Sequence, residues 1–409
     1  MLLPARFFRA GGTMQSPPDI TPYLGKLIHF RRDLHAHPEL KFEESRTSDQ
    51  VVAYLAALGI PLHRGLGGTG VVATLRGSGR NAGARAIGLR ADMDALPVQE
   101  INRFAHASTN PGRMHACGHD GHTTMLLGAA TLLAKQPDFD GTVHFIFQPG
   151  EEGGAGARLM MEDGLFQKFP MQAVFALHNW PALPAGQMGV RVGPIMASAN
   201  RFEIRIHGRG GHAAQPHTTV DPIPVACAIV GQLQTLVSRT VDPLDNAVLT
   251  VGKIESGTVE NIIPNEAFIY GTCRTLGTQT LNHLVEGLHR ISTHVAQAHR
   301  ATAEVIIKPG YPTTVNHPRE AKFMSEVMAE IVGTDNAHFD VPPAMTAEDF
   351  GFMLEQVPGA YGFIGNGAGG KPGVNLHNAA YDFNDDILGV GASFFDRMAR
   401  RWFETHATS

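Results

Sequence analysis

The apolar positions of the first 180 residues follow two spacings that alternate along the chain. Apolar residues recur at helical intervals in residues 24–34 and 47–58. Short apolar runs at residues 71–75, 86–90, 142–147 and 173–177 are typical of buried strands. Because helices and strands alternate, the pattern predicts a mostly parallel sheet covered by helices, which is an open α/β fold.

A different order of elements begins near residue 198. The pattern predicts a strand at 202–206, a helix at 223–239, strands at 248–254 and 267–273, a helix at 281–298 and a strand at 303–307. This order is typical of a ferredoxin-like unit, βαββαβ. Helices and strands alternate again after Tyr311. The sequence therefore predicts an α/β domain in two parts, residues 1–195 and 310–409, with a ferredoxin-like domain inserted at residues 196–309.

A glycine-rich segment at residues 65–70 fits the G-x-G-x-x-G pattern of dinucleotide-binding proteins. In those proteins the glycines open a helix whose N-terminus binds the pyrophosphate. Here the residues that follow, 71–75, have the pattern of another strand. The sequence therefore argues against a dinucleotide site.

Composition narrows the class of protein. With 409 residues, 43% hydrophobic and 17% charged, the chain can form a soluble globular protein of two domains. The net charge of -5, without any block of like charge, argues against nucleic acid and anionic membranes as partners.

No segment reaches the roughly 18 apolar residues of a membrane-spanning helix, and the apolar run in residues 1–10 is too short for a signal peptide. Three cysteines are too few for a disulfide framework, so we expect a cytoplasmic protein, with the residues before Met14 as an extension or an upstream start.

The segment 114–122 has the composition of a metal site. It contains one thiol, three imidazoles and a carboxylate within nine residues. Cys117 and His119 are separated by a single residue, so both side chains can reach one ion. A small buried cysteine beside solvated loop histidines explains this segment equally well when it is considered alone. A metal site needs a second cluster of ligands.

Such ligands follow three of the predicted strands. Asp92 and Asp94 come after the strand at 86–90, Glu151 and Glu152 after that at 142–147, and His178 after that at 173–177. The carboxyl ends of parallel strands meet at one edge of a sheet, where ligands usually bind. Side chains of adjacent residues point in different directions, so one glutamate can bind metal while the other holds a water molecule. The sequence therefore predicts a metal centre at this edge.

Six segments give the chain a resemblance to a known family. They are RDLHAHPEL (32–40), GLRADMDALP (88–97), HACGHD (115–120), QPGEE (148–152), ALH (176–178) and LHN (376–378). In this order they resemble the dinuclear metal amidohydrolases, which include hippurate hydrolases, N-acyl-amino-acid amidohydrolases (aminoacylases) and auxin-conjugate hydrolases within a wider metallopeptidase group. The wider group has an H-x-D where this chain has Arg90, Ala91 and Asp92. Cys117 takes over that ligation in the cysteine-containing subfamily.

The resemblance implies a role for nine side chains. It implies that Glu151 is the catalytic base and that His212 donates to the oxyanion. It assigns recognition of the substrate α-carboxylate to Asn261 and Arg274. Two divalent metal ions (Zn, Mn, Co or Ni) are expected to be held by Cys117, His119, Glu152, His178 and His377.

The resemblance also implies an activity and an assembly. The expected reaction is hydrolysis of the amide bond of N-acyl amino acids, either hippurate-like, N-acetyl or aryl-acyl compounds, to a carboxylic acid and a free amino acid. The inserted domain is expected to be a lid and to join two chains in a homodimer. His212 is then expected to reach the metal site of the neighbouring subunit.

Two other classes of function remain open at this point. In a cysteine amidase, Cys117 would be the nucleophile and His119 or His122 its base, and chelators would leave activity intact. A non-catalytic metal-binding dimer is the second alternative. Glu151 argues against the latter, because a protein that only binds metal has no use for a base.

Overall fold

The computed structural model describes residues 19–367 and 374–406. The expectation for the residues before Met14 lies outside these ranges. No helix in the described part of the chain is long and apolar enough to cross a membrane. The α-helices are α1 (Thr21–Ala36), α2 (Ser45–Ala57), α3 (His119–Lys135), α4 (Glu151–Gly154), α5 (Gly156–Glu162), α6 (Leu165–Lys168), α7 (Pro222–Thr235), α8 (Thr278–Ala298), α9 (Pro318–Val332), α10 (Gly351–Leu354) and α11 (Leu388–Thr405).

Sixteen strands occur within the same ranges. They are β1 (Leu62–Leu66), β2 (Gly70–Arg76), β3 (Ala86–Asp92), β4 (Thr142–Gln148), β5 (Ala173–Trp180), β6 (Met188–Val190), β7 (Gly193–Met196), β8 (Ala199–His207), β9 (Gly211–His212), β10 (Ala247–Ser256), β11 (Ile262–Ile263), β12 (Glu266–Thr275), β13 (Thr302–Tyr311), β14 (Thr314–Asn316), β15 (Ala337–Phe339) and β16 (Gly359–Gly365).

The larger sheet has eight strands in the order β1-β2-β4-β3-β5-β16-β6-β15. Its centre, β4-β3-β5-β16, is parallel, and antiparallel pairs flank it. The four strands predicted before residue 180 are confirmed. β4 and β5 lie on opposite sides of β3, so the chain changes direction across the sheet there, and ligands bind at such switch points.

Burial of apolar side chains holds helices against this sheet. Leu127 of α3, Phe145 of β4 and Phe395 of α11 are 0–1% exposed and belong to one core. A second core contains Met160 of α5 and Phe350, both fully buried. Fifteen α3 residues are buried, so the helix that begins at His119 is enclosed almost all round and cannot shift freely.

The inserted unit is an antiparallel sheet in the order β10-β12-β8-β13. Ile204 of β8, Ile229 of α7 and Leu288 of α8 are fully buried in a separate core, which places both helices on one face. The expected βαββαβ order is confirmed. The chain enters through β7 and returns through β14, and these two strands pair with each other. The division at residues 196 and 309 stays a prediction.

The glycine-rich segment connects two strands. β1 pairs with β2 in an antiparallel hairpin in which Leu66 lies opposite Gly70. Gly67 N–H donates to Asp163 Oδ2 at 2.7 Å. The segment therefore precedes a strand, as predicted, and has no helix N-terminus to offer a phosphate.

Candidate metal centre

The predicted ligands converge at the carboxyl edge of the large sheet. A cleft of about 660 Å³ is lined by Cys117, Glu151, Glu152, His178 and His377, together with residues of the inserted sheet. His119 lies directly beneath and is fully buried. Side chains from four separate segments of the chain therefore meet at one place.

Two groups of ligand atoms share the thiol of Cys117. The first group contains Cys117, His119 and His178. The second contains Cys117, Glu152 and His377. Within each group the candidate ligand atoms lie within 4.8 Å of one another. Cys117 Sγ is 3.5 Å from His178 Nε2, and His377 Nε2 is 3.1 Å from Glu152 Oε1. A single thiolate shared by two sets of nitrogen and oxygen donors fits a pair of metal ions.

The backbone between Cys117 and His119 needs glycine. Gly118 has a φ of 95°, in the left-handed region, and immediately precedes α3. A Cβ atom there would lie 2.4 Å from Asn179 Oδ1 and 2.9 Å from the Tyr381 hydroxyl. The turn at Gly118 therefore brings Cys117 and His119 into one group of candidate ligands and leaves room for Asn179 and Tyr381.

Contacts with neighbouring residues orient the imidazole rings of His178 and His119. His178 Nδ1 donates to the Asn179 carbonyl at 2.7 Å, which leaves Nε2 with its lone pair towards Cys117. His119 Nδ1 lies 3.3 Å from Asp94 Oδ1, and His119 Nε2 has no hydrogen-bond partner in the described ranges. Asp92 Oδ2 is 3.7 Å from this nitrogen, beyond hydrogen-bond distance. A fully buried nitrogen without a hydrogen bond is costly, so a bound cation is the partner it fits.

The site carries an excess of negative charge. Burial alone would lower the pKa of His119, yet Asp92 and Asp94 outweigh burial and raise it to about 10. Burial lowers the pKa of His178, which keeps this imidazole neutral, as metal ligation requires. Bound cations would balance the carboxylates that raise the pKa of His119. The donor set, its burial and its charge all fit divalent metal ions.

Glu151 is held from several directions. The Glu151 and Glu152 N–H groups donate to the two carboxylate oxygens of Asp94 at 3.0 and 2.9 Å. The Tyr311 hydroxyl donates to the Glu151 carbonyl. Burial, with Glu348 and Glu152 nearby, raises the pKa of Glu151. Glu151 is 6% exposed and lines the cleft, where its carboxyl group can exchange a proton with a bound molecule.

Arg90 neutralises the carboxylates behind Glu151. Its guanidinium is 2% exposed and donates to Asp92 at 2.8 Å, Glu348 at 2.9 Å and Asp349 at 3.1 Å. It also donates to Gln148 at 2.8 Å. Coulombic attraction to these carboxylates overcomes burial and raises the pKa of Arg90. Arg90 therefore holds in place the buried carboxylates that lie behind the metal centre.

The structure argues against Cys117 as a nucleophile. Burial raises the pKa of the Cys117 thiol, and Glu152 and Glu151 raise it further, whereas a nucleophilic cysteine needs a lowered pKa. Both ring nitrogens of His122 are already engaged. Nδ1 lies 2.6 Å from Asp92 Oδ1, and Nε2 accepts from the Asn179 N–H at 3.0 Å. His122 is therefore poorly placed to activate the thiol.

The three remaining predicted residues are divided between two places. Arg274 lines the cleft. His212 and Asn261 lie at the small β9–β11 ribbon, where His212 is exposed and its Nδ1 accepts from the Ala214 N–H at 3.0 Å. The Asn261 carbonyl accepts from the Ala213 N–H at 3.1 Å. Neither residue lines the cleft of its own chain, and their roles stay predictions.

Sequence reasoning gave no role to Arg90, Glu348, Asp349 or Tyr311. It placed Asp94 among the candidate ligands, whereas the Asp94 carboxylate accepts hydrogen bonds from the Glu151 and Glu152 N–H groups. Glu348 and Asp349 are adjacent acids in a segment otherwise poor in charge, which is the one local signal for them. Arg90 and Asp94 flank a strand end within the GLRADMDALP motif. Their partners lie up to 259 residues away, so local spacing could not indicate what they contact.

Comparison with known proteins defines the class. The sequence model of Peptidase family M20/M25/M40 matches residues 88–401, and the chain belongs to this family. The resemblance drawn from the six motifs is thereby confirmed.

Individual relatives are similar over nearly the whole chain. A hippurate hydrolase of Campylobacter jejuni is 39% identical over 387 residues, which cover 95% of this chain and 99% of that protein. An IAA-amino acid hydrolase of Arabidopsis thaliana is 40% identical, with 92% and 85% covered. A solved structure of a dinuclear metal binding peptidase of the M20 family from Bacillus subtilis has a TM-score of 0.82 at 34% identity, with 94% and 99% covered.

Proposed function

We propose that this protein hydrolyses the amide bond of N-acyl amino acids with the help of two divalent metal ions. The observation that carries the proposal is the position of Glu151, a buried carboxyl group beside two ligand groups that share Cys117. The relatives support the substrate class, because their names specify hippurate, IAA-amino acids and N-acetylcysteine.

The metal ions would occupy two neighbouring positions. Cys117, His119 and His178 would hold one, and Cys117, Glu152 and His377 the other. When bound, two such ions polarise a substrate carbonyl and increase the acidity of a water molecule. Zn, Mn, Co and Ni all accept this mixture of thiolate, imidazole and carboxylate donors.

Glu151 would act as the proton carrier. It takes a proton from the attacking water and delivers it to the nitrogen of the leaving amino acid. The N–H groups of Glu151 and Glu152 donate to Asp94, which fixes the backbone from which the Glu151 side chain extends. Its raised pKa suits a group that must both accept and release a proton.

The cleft has room for an N-acyl amino acid. Its volume of about 660 Å³ falls within the range of roughly 300–1,000 Å³ for small-molecule sites. Trp180 and Leu376 offer apolar surface for the acyl group. Arg274 would bind the α-carboxylate, for which a guanidinium offers two parallel N–H donors.

We also propose that two chains form a homodimer through the inserted sheet, in the cytoplasm. β10 is an edge strand with exposed Val248 and Ile254, which a second copy could cover. His212 would then reach the partner's metal centre, since it is exposed and does not line the cleft of its own chain. The three free cysteines, at 117, 227 and 273, suit a reducing compartment.

Replacement of the base tests the reaction. Glu151→Gln keeps the size of the side chain and removes its proton-accepting charge, so kcat on a panel of N-acetyl, N-benzoyl and indoleacetyl amino acids should fall about 10²–10⁴-fold. Metal content, measured by atomic emission, should stay near two ions per chain. A fully active variant would contradict the role of Glu151, and a metal-free one would contradict its separation from the ligands.

Mixed dimers test the assembly. Glu151→Gln and His212→Ala chains are each expected to be inactive, but a mixture should recover activity, because some heterodimers have one site with Glu151 from one chain and His212 from the other. Reassociated wild-type chains are the control. If the mixture stays inactive while heterodimers form, His212 serves its own chain and the interface has no catalytic role.

A further inference from the structure

The wall of the cleft that belongs to the inserted sheet carries three cationic side chains. Arg201 of β8 lies opposite both Thr272 of β12 and Lys308 of β13, and Arg274 is two residues further along β12. All of them line the cleft. Directly opposite residues in such sheets have Cβ atoms about 4.5–5.5 Å apart, and diagonal neighbours lie about 7–8 Å apart. Arg201, Arg274 and Lys308 therefore form one patch, the cationic wall.

The chain leaves most of this charge without a partner. Lys308 Nζ donates to Glu203 Oε2 at 2.9 Å, but Arg205 Nε donates to the same carboxylate at 2.7 Å. The guanidinium groups of Arg201 and Arg274 have no hydrogen bond or ion pair with any residue of 19–367 or 374–406. One buried carboxylate is thus shared by two cations, while both guanidinium groups beside it remain unpaired.

The other carboxylates of the cleft do not balance the wall. Glu151, Glu152 and Glu348 line the cleft from the large domain, at the candidate metal centre, where bound ions would offset their charge. Neighbouring like charges on one face of a sheet are unfavourable. A cleft with unpaired cations on one wall concentrates anions there.

A substrate with a single carboxylate would leave part of the cationic wall without a partner. An α-carboxylate can bind one guanidinium through two parallel hydrogen bonds, and the proposed function assigns it to Arg274. Arg201 and the nearby Lys308 then still face the cleft. We infer that the preferred substrates carry a second carboxylate, bound by Arg201, so that the substrate class is dianionic N-acyl amino acids. This inference rests on the proposed function.

The second carboxylate has two possible sources with the same chemistry. It belongs either to the side chain of the released amino acid, as in N-acetylglutamate, or to the acyl group, as in N-succinylleucine. Each compound has a monoanionic counterpart of nearly equal shape, in which an amide replaces the second carboxylate: N-acetylglutamine and N-succinamoylleucine. Within each pair only the charge of one group differs, so the ratio of kcat/KM isolates its contribution.

The experiment measures both ratios with metal-loaded protein. Wild type should prefer the carboxylate member of one pair by about 10-fold or more, as expected for a charge-assisted hydrogen bond. Arg201→Gln should reduce that ratio to about one, and Arg201→Lys should restore part of it. The matched control is Arg205→Gln, which removes the same charge from the same strand but lies outside the cleft lining and should keep the ratio.

The outcomes separate the inference from the function on which it rests. Preference in the glutamate pair assigns the second carboxylate to the amino acid, and preference in the succinyl pair assigns it to the acyl group. Hydrolysis without preference in either pair, or a preference that Arg201→Gln leaves unchanged, overturns the inference and keeps the proposed function. If metal-loaded wild type hydrolyses none of the four compounds and no N-acetyl amino acid with an uncharged side chain, both fail.

Discussion

In the metal-free protein, His144 should lower the free energy of unfolding in acid, by an amount that follows from the structure. The imidazole lies on β4 and is 6% exposed, with Nδ1 3.0 Å from Thr74 Oγ1 and the ring edge-on to Phe169 at 5.4 Å. Burial lowers the pKa of His144 from 6.5 to about 4, and a hydrogen bond to the Pro170 carbonyl opposes this only in part. The folded protein therefore keeps this imidazole neutral at pH values where the unfolded chain protonates it.

The sign and magnitude follow from proton linkage. Well above pH 6.5 the group is neutral in both states and contributes no pH dependence. As the pH falls towards 4, the unfolded state binds the additional proton, so the free energy of unfolding decreases by up to about 1.36 kcal/mol per pH unit. The decrease is about 2 kcal/mol at pH 5 and approaches about 3.4 kcal/mol below pH 4.

Urea unfolding of wild type and His144→Gln at pH 7.5 and pH 5 measures this contribution. EDTA is present throughout, so that release of metal adds nothing to the pH dependence. Between the two pH values, wild type should lose about 2 kcal/mol more stability than His144→Gln. The control is His289→Gln, which removes an exposed imidazole of α8 and should behave as wild type. Equal losses in wild type and His144→Gln would refute the reasoning.

Two further substitutions test the layers around the metal centre. Arg90→Met leaves Asp92, Glu348 and Asp349 buried without their cation, and should lower the free energy of unfolding by about 3–5 kcal/mol in urea titrations; a loss below 1 kcal/mol would show that these carboxylates are neutral or solvated. Cys117→Ala removes the donor shared by both ligand groups, and should reduce bound metal below one ion per chain while circular dichroism stays unchanged; full metal occupancy would exclude the shared thiolate.

Local patterns determined the secondary structure, and the motifs of the family resemblance predicted which side chains meet at the candidate metal centre. The predicted strand at 142–147 is β4 (Thr142–Gln148), and the predicted helix at 281–298 is nearly α8 (Thr278–Ala298). Both were predictable because burial imposes a spacing on apolar residues along a few turns or one strand. The parallel strands then brought Glu152 and His178 to the same edge, since that edge is common to their carboxyl ends.

Contacts between distant segments were decided only by the tertiary structure. Asp94 accepts hydrogen bonds from the Glu151 and Glu152 N–H groups, and Arg90 pairs with Glu348, which is 258 residues away. No periodicity records such contacts, because each depends on where a complete strand or loop lies relative to another. The positions of His212 and Asn261, outside their own cleft, are equally a matter of how the chain is folded.

Two histidines in the first turn of α3 show what the sequence alone does not determine. His119 and His122 have the same chemistry and lie three residues apart, so the sequence left either one available as the base of a cysteine amidase. Both are buried in the folded protein. In the folded protein, Asp92 and Asn179 engage both nitrogens of His122, while His119 Nε2 has no hydrogen-bond partner in the described part of the chain. The sequence by itself supplied the donors, but which nitrogen remains available for a metal ion depends on side chains that only the tertiary structure brings into contact.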